Sequence, residues 1–183
     1  MNRNLKNRAI YLLITICAFQ ACACFNEKYN MIYKINFYTQ YKQFYICDKL
    51  SSSDTDSDNF WTEEAHKDRL AIEDGILGIG TECYGPVNLE IIVLSSPNNT
   101  FKISSYDHIV EGGLELESGM LQIADCPNFN KEFEVNLKPG KYRIRVYSGN
   151  LASVLGDKED DFYKIEIWPS DIMERKVLKR YKG

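Results

Sequence analysis

Residues 60–79 read FWTEEAHKDRLAIEDGILGI, and this stretch carries a helix start and a strand start within twenty residues. Thr62 stands immediately before Glu63 and Glu64. That is an N-cap pattern: the hydroxyl satisfies an orphan backbone N–H, and the carboxylates suit the positive end of the helix. Ala65, Leu70 and Ile72 supply only a thin apolar side, so the predicted helix is short. Asp74-Gly75 reads as the turn that swings the chain into a strand beginning near Ile76, and Phe60 and Trp61 as the staple that fixes the helix entry to the body.

Working outward, the rest of the chain alternates. Strands are predicted over residues 33–38, 44–48, 76–81, 87–94, 101–104, 109–111, 114–117, 121–124, 133–137, 142–147 and 162–168, with turn residues between them. Residues 87–94 are almost continuously apolar, with Leu89, Ile91 and Val93 on one side and Ile92 and Leu94 on the other, which suits a central strand. Residues 133–137 and 142–147, joined by Lys138-Pro139-Gly140, read as a hairpin. In that hairpin Tyr142, Ile144 and Val146 face the core, and Arg143 and Arg145 point outward. The expected fold is an all-β antiparallel β-sandwich with one short inserted α-helix, spanning residues 24–170.

The first 23 residues read differently. Arg3, Lys6 and Arg8 precede an almost purely apolar run over residues 9–19, the n-region and h-region of an export signal. The run is shorter than the roughly 18–20 residues a spanning helix needs. Ala21-Cys22-Ala23 fits simple cleavage, whereas Cys22 or Cys24 fits lipid attachment in a bacterial lipoprotein. Lipidation is preferred because two cysteines directly after an h-region otherwise lack a reason. The expected location is exported, periplasmic or membrane-anchored. Export permits disulfides, so Cys24, Cys47, Cys83 and Cys126 form two bridges in any of three connectivities if Cys22 carries lipid.

Charge narrows the partners. The chain carries 22 Lys and Arg against 26 Asp and Glu, a net charge of −4. Arg3, Lys6 and Arg8 leave with the leader and no acid goes with them, so the mature protein stands near −7. Arg175, Lys176, Lys179, Arg180 and Lys182 crowd residues 171–183, read as a basic C-terminal tail in solvent, or a short helix with Ile172, Met173, Val177 and Leu178 on its apolar side. The body is therefore more acidic than the whole; it repels nucleic acid and attracts basic proteins. Two loops concentrate the acids: residues 50–59, with Asp54, Asp56 and Asp58, and residues 156–161, with Asp157, Glu159, Asp160 and Asp161. The first lacks the central glycine and distal glutamate of a calcium loop. The cysteine spacings lack a zinc clamp. No metal and no cofactor is expected.

No G-x-S-x-G, H-E-x-x-H, P-loop or dinucleotide fingerprint occurs, and His66 and His108 are the only candidate neutral-pH bases, so the chain is not read as an enzyme. Trp61-Thr62-Glu63-Glu64-Ala65, then Ala71-Ile72-Glu73-Asp74-Gly75-Ile76-Leu77 and an apolar strand, resemble the competence protein J family. The similarity runs from Tyr41-Lys42-Gln43-Phe44 through Pro139-Gly140-Lys141-Tyr142 to Tyr163-Lys164-Ile165, and the N-terminus departs from the cytosolic pattern of that family. The resemblance implies a nuclease inhibitor or immunity-type protein that binds a basic nuclease or toxin. Glu63, Glu64, Glu73 and Asp74, by charge and by their place in the matching motif, are the candidate partner contacts, with Trp61 as anchor or core support. The competing function is a periplasmic or cell-surface ligand-binding or adhesion lipoprotein with a similar sandwich.

Overall fold

A computed structural model describes residues 31–154 and 160–183. The leader over 1–23 with Cys22 and Cys24 lies outside the described residues, as do Asp157 and Glu159 of the second acidic loop.

Among the described residues eleven strands form two sheets packed face to face. One sheet has six strands in the order β1 (Met31–Tyr38), β5 (Pro86–Val93), β10 (Phe162–Pro169), β9 (Gly140–Gly149), β6 (His108–Leu116) and β11 (Lys176–Lys179). The other has five in the order β3 (Leu70–Glu73), β4 (Ile76–Gly80), β2 (Gln43–Asp48), β7 (Met120–Ala124) and β8 (Lys131–Asn136). The sandwich expected from the alternation is present. All pairs are antiparallel except β5 with β10, which run parallel with Ile91 opposite Ile165. Residues 101–104 are not a strand; Ile103–Ser105 form a 3-10 turn. Residues 109–111 and 114–116 belong to the single strand β6, which Gly112 and Gly113 do not interrupt, and Glu117 lies just beyond its end.

Inward side chains at period two make the main core. Val87, Leu89 and Ile91 of β5 face Phe44 and Ile46 of β2, Leu77 and Ile79 of β4, and Leu121 and Ile123 of β7. A second, smaller core lies on the outer face of the five-stranded sheet, where Phe60, Ala65 and Trp61 cover Tyr45, Cys47, Ile76 and Ala124. Thr62 caps the helix α1 (Glu63–Asp68) as expected, its Oγ1 accepting from Ala65 N at 3.2 Å. The helix stops sooner than the apolar spacing suggests, because Arg69 turns left-handed with φ 54° and its N–H bonds back to His66 O. Leu70 and Ile72 are consequently strand residues, paired across the Asp74-Gly75 turn with Ile79 and Leu77.

The sequence-predicted hairpin does not exist. β8 pairs with β7 and β9 pairs with β6 and β10, so Lys138-Pro139-Gly140 carries the chain from one sheet to the other. The β6–β7 connection crosses alongside it: Leu137 N donates to Gly119 O at 2.7 Å, and a Cβ on Gly119 would lie 2.8 Å from Leu137 O and from the Pro139 ring. Gly119, at φ 70°, is the residue that permits two crossing segments to touch.

Arg143 and Arg145 do sit on the face opposite Tyr142, Ile144 and Val146, yet only 3% and 5% of their surfaces reach solvent. That outer face is covered. Arg145 Nη1 donates to Asn98 O at 2.8 Å, and its guanidinium lies 4.2 Å from the Phe101 ring and 4.9 Å from Trp168. Arg143 Nη1 donates to the carbonyls of Ile172 and Glu174. Glu111 accepts from both arginines, at 3.2 and 2.6 Å. Nor are residues 171–183 a solvated tail or a helix: β11 pairs antiparallel with β6 as the sixth strand, and Val177 and Tyr181 pack on the main core.

Candidate functional site

The five sequence-predicted partner contacts fall in different places around α1. Trp61 lines a cleft of about 370 Å³ with Tyr41, Lys42, His66, Arg69 and Glu82. Its ring stacks on His66 at 5.0 Å, with its far edge above Gly78, where no Cβ would fit. Arg69 and Glu82 form an ion pair across this cleft. Glu63 and Glu64 are exposed in the first turn of α1. Glu64 is held at 3.1 Å from Arg175.

Asp74 belongs to another cleft, of about 280 Å³, at the opposite end of β4, where it meets Asp48, Glu115, Glu117 and the serines of residues 51–53. The hydroxyls of Ser51 and Ser53 donate to Asp74 O at 3.3 and 2.7 Å, tying the loop to the turn. Asp48 is buried and fully used: Leu50 N and Ser118 N donate to its two carboxylate oxygens. Glu115 and Glu117 are exposed and extend the negative surface that Asp74 begins. Their alternation with buried Leu116 was the signal that could have found them. Glu73, half-buried beside Asp74, ends β3.

Arg175 and Arg180, which flank the C-terminal strand β11, neutralise part of the helix. Asp68, buried at the end of α1, lies 2.9 Å from Arg175 and 2.5 Å from Arg180, and Arg180 also donates to Lys67 O. His108 sits under this junction rather than in a surface turn. Its Nε2 is 2.9 Å from Asp68 O, and its Nδ1 accepts from Tyr181 N at 3.3 Å. With Nδ1 occupied as an acceptor, the proton resides on Nε2. Burial pushes the imidazole down to about 4 and keeps it neutral, which makes it a structural link and not a base for neutral-pH chemistry.

The cysteines follow the same pattern. Cys47 and Cys126 are buried thiols, with no disulfide between them. Burial, with Asp48 beside it, pushes the Cys47 thiol up to about 11, which disfavours the thiolate a nucleophile requires. Cys126 Sγ accepts from Gln43 Nε2 at 3.0 Å and from the Tyr45 hydroxyl at 3.4 Å. Among the described residues no group of three or more His, Cys, Asp or Glu is arranged to hold a metal ion.

No family model and no curated protein matches this chain. Solved structures do. The crystal structure of ComJ from Bacillus subtilis, an inhibitor of the DNA-degrading activity of NucA, superposes with a TM-score of 0.59 at 17% identity, covering 76% of this chain and 99% of ComJ. This protein has the ComJ-like fold. The product of crocagin biosynthetic gene J shares it at a TM-score of 0.50 and 15% identity, over 77% of this chain and 98% of that one. The ComJ-like fold agrees with the family resemblance read in residues 61–77.

Proposed function

We propose that this protein is a nuclease inhibitor or immunity-type protein, which binds a basic nuclease or toxin through its acidic surface. The observation that carries this reading is the ComJ-like fold, which matches 99% of an inhibitor of a DNA-degrading enzyme. The charge supports it. A nuclease presents a basic cleft for phosphates, and carboxylates such as Glu63, Glu73, Asp74, Glu115 and Glu117 occupy such a cleft in place of the nucleic acid backbone. Residues 1–23 direct export, and lipid on Cys22 or Cys24 holds the inhibitor at a membrane. A single acyl chain gives only marginal attachment, so a firm anchor needs more than one.

The experiment is inhibition of DNA degradation by purified NucA, with this protein, with Glu63→Lys/Asp74→Lys and with Glu115→Lys/Glu117→Lys. Inhibition by the parent and its loss in the reversed variants, at nearly unchanged melting temperature, is the expected result, because exposed charges away from special contacts contribute little to stability. Folded parent protein that fails against NucA and against the basic nucleases of its own source removes this reading. The ligand-binding lipoprotein then takes its place.

A further inference from the structure

Among the described residues the exposed aromatic side chains are not scattered. Tyr38, Tyr41, Tyr84 and Phe129 are 59%, 62%, 43% and 43% exposed, and all four lie at one end of the sandwich. They come from the end of β1 and from the β1–β2, β4–β5 and β7–β8 connections, which hydrogen bonds lock together: Thr39 N donates to Gly85 O, Gln40 N to Cys126 O and Thr81 N to Lys42 O, at 2.8–3.0 Å. The rings are braced. Tyr41 and Tyr84 pack edge to face at 6.2 Å, and Phe129 stacks flat on Tyr45 at 4.4 Å. Tyr41, Lys42 and Phe129 are held left-handed, at φ 56°, 55° and 54°. Two bulky aromatic residues in that region cost backbone energy, and such strain gathers where a surface must present specific side chains.

Elsewhere the protein's own cations sit over aromatic rings. Arg145 covers Phe101 and Trp168, Lys164 covers Tyr147 and Tyr106, and Arg69 covers Tyr181. Among the described residues no Lys or Arg lies over the four exposed rings or over Trp61, whose cleft Tyr41 also lines. The rings thus present electron-rich faces with no internal cation on them, on a protein that is acidic as a whole.

We propose that this aromatic end is the anchoring contact for a basic protein partner, whose arginine side chains stack on Tyr41, Tyr84 and Phe129 while the acidic body steers the approach. This rests on the nuclease-inhibitor reading for the partner's identity, and on the ring geometry alone for the site. Rigid aromatic anchors supply binding energy at low entropic cost, and planar guanidinium groups stack on such rings better than ammonium groups do.

The test titrates the purified protein with an arginine-rich peptide and a lysine-rich peptide of equal length and charge, followed by NMR of backbone and aromatic side chains. The arginine peptide should bind more tightly and shift the ring signals of Tyr41, Tyr84 and Phe129. Tyr41→Asn/Tyr84→Ser should weaken it roughly fivefold to tenfold; asparagine tolerates the left-handed backbone that Tyr41 adopts, so the loop persists. Glu63→Lys/Asp74→Lys should weaken both peptides alike. Shifts confined to the Asp74–Glu117 cleft, or a double tyrosine variant that binds as the parent does, would overturn the proposal. Against NucA the two readings separate. If the parent inhibits and the tyrosine variant inhibits equally, the aromatic contact falls and the inhibitor stands. If the parent does not inhibit but its rings still select arginine, the inhibitor reading falls and the aromatic contact stands.

Discussion

Glu111 lies between two guanidinium groups under a lid of loop and C-terminal chain, and Glu166 beside it completes a buried polar layer. Burial alone would push the Glu166 carboxyl up, but hydrogen bonds from the Tyr147 hydroxyl, Lys164 and Asn98 outweigh it and hold the group below its ordinary value. Removing Arg143 takes from Glu111 one of its two guanidinium partners and from the carbonyls of Ile172 and Glu174 their donor, each such loss typically costing about 1–3 kcal/mol. Ile144→Ala on the other face of the same strand loses packing in the main core, about 2–5 kcal/mol. Arg143→Ala and Ile144→Ala are therefore expected to destabilise comparably in denaturant melts, although the alternation alone points Arg143 outward. An Arg143 variant as stable as the parent would mean that the outer face is open to water in solution.

At the scale of elements, α1, β6 and β11 meet at His108. The imidazole bridges Asp68 O and Tyr181 N, with Arg69, Arg180 and the Asp68 carboxylate around it. Its folded pKa, about 4, lies below the unfolded value of roughly 6.5. A depressed histidine pKa means that folding favours the neutral ring. Its contribution to stability is complete above the unfolded value and is lost as pH falls from about 6.5 toward 4, on the order of 3 kcal/mol in all. Protonation would also set a second ring N–H against the Tyr181 N–H and loosen the pairing of β11 with β6. Urea midpoints measured between pH 7 and pH 4 should fall more steeply for the parent than for His108→Gln, whose amide can still donate to Asp68 O. Parallel pH profiles would remove His108 from this role.

Taken as one object, the sandwich has two unlike ends. The end at Asp74, Glu115 and Glu117 is acidic, and the end at Tyr41, Tyr84 and Phe129 is aromatic. Long-range attraction and short-range anchoring respond differently to salt, because exposed charges are screened over about 10 Å at 0.1 M ionic strength while desolvated contacts are not. On the proposed inhibitor reading, the on-rate for a basic nuclease in stopped-flow association should fall several-fold between low salt and physiological salt, with the off-rate changing little. A salt-independent on-rate would show that the acidic surface takes no part in the encounter.

Much of this architecture was legible in residue order, since period-two alternation, a capping Thr62 and an Asp74-Gly75 turn are local properties of the chain. The inward set Tyr142, Ile144 and Val146 could be read in the same way, as could the short helix and the sandwich class. Strand partners could not. β8 joins β7 and leaves β9 to β6 because backbone hydrogen bonds are alike along every strand, and the choice depends on segments far away in sequence. The burial of Arg143 and Arg145, the docking of β11 and the grouping of Tyr38, Tyr41, Tyr84 and Phe129 have the same origin. Alternation tells which face a side chain takes, and only the packing of distant loops decides whether that face meets water, another strand or a partner.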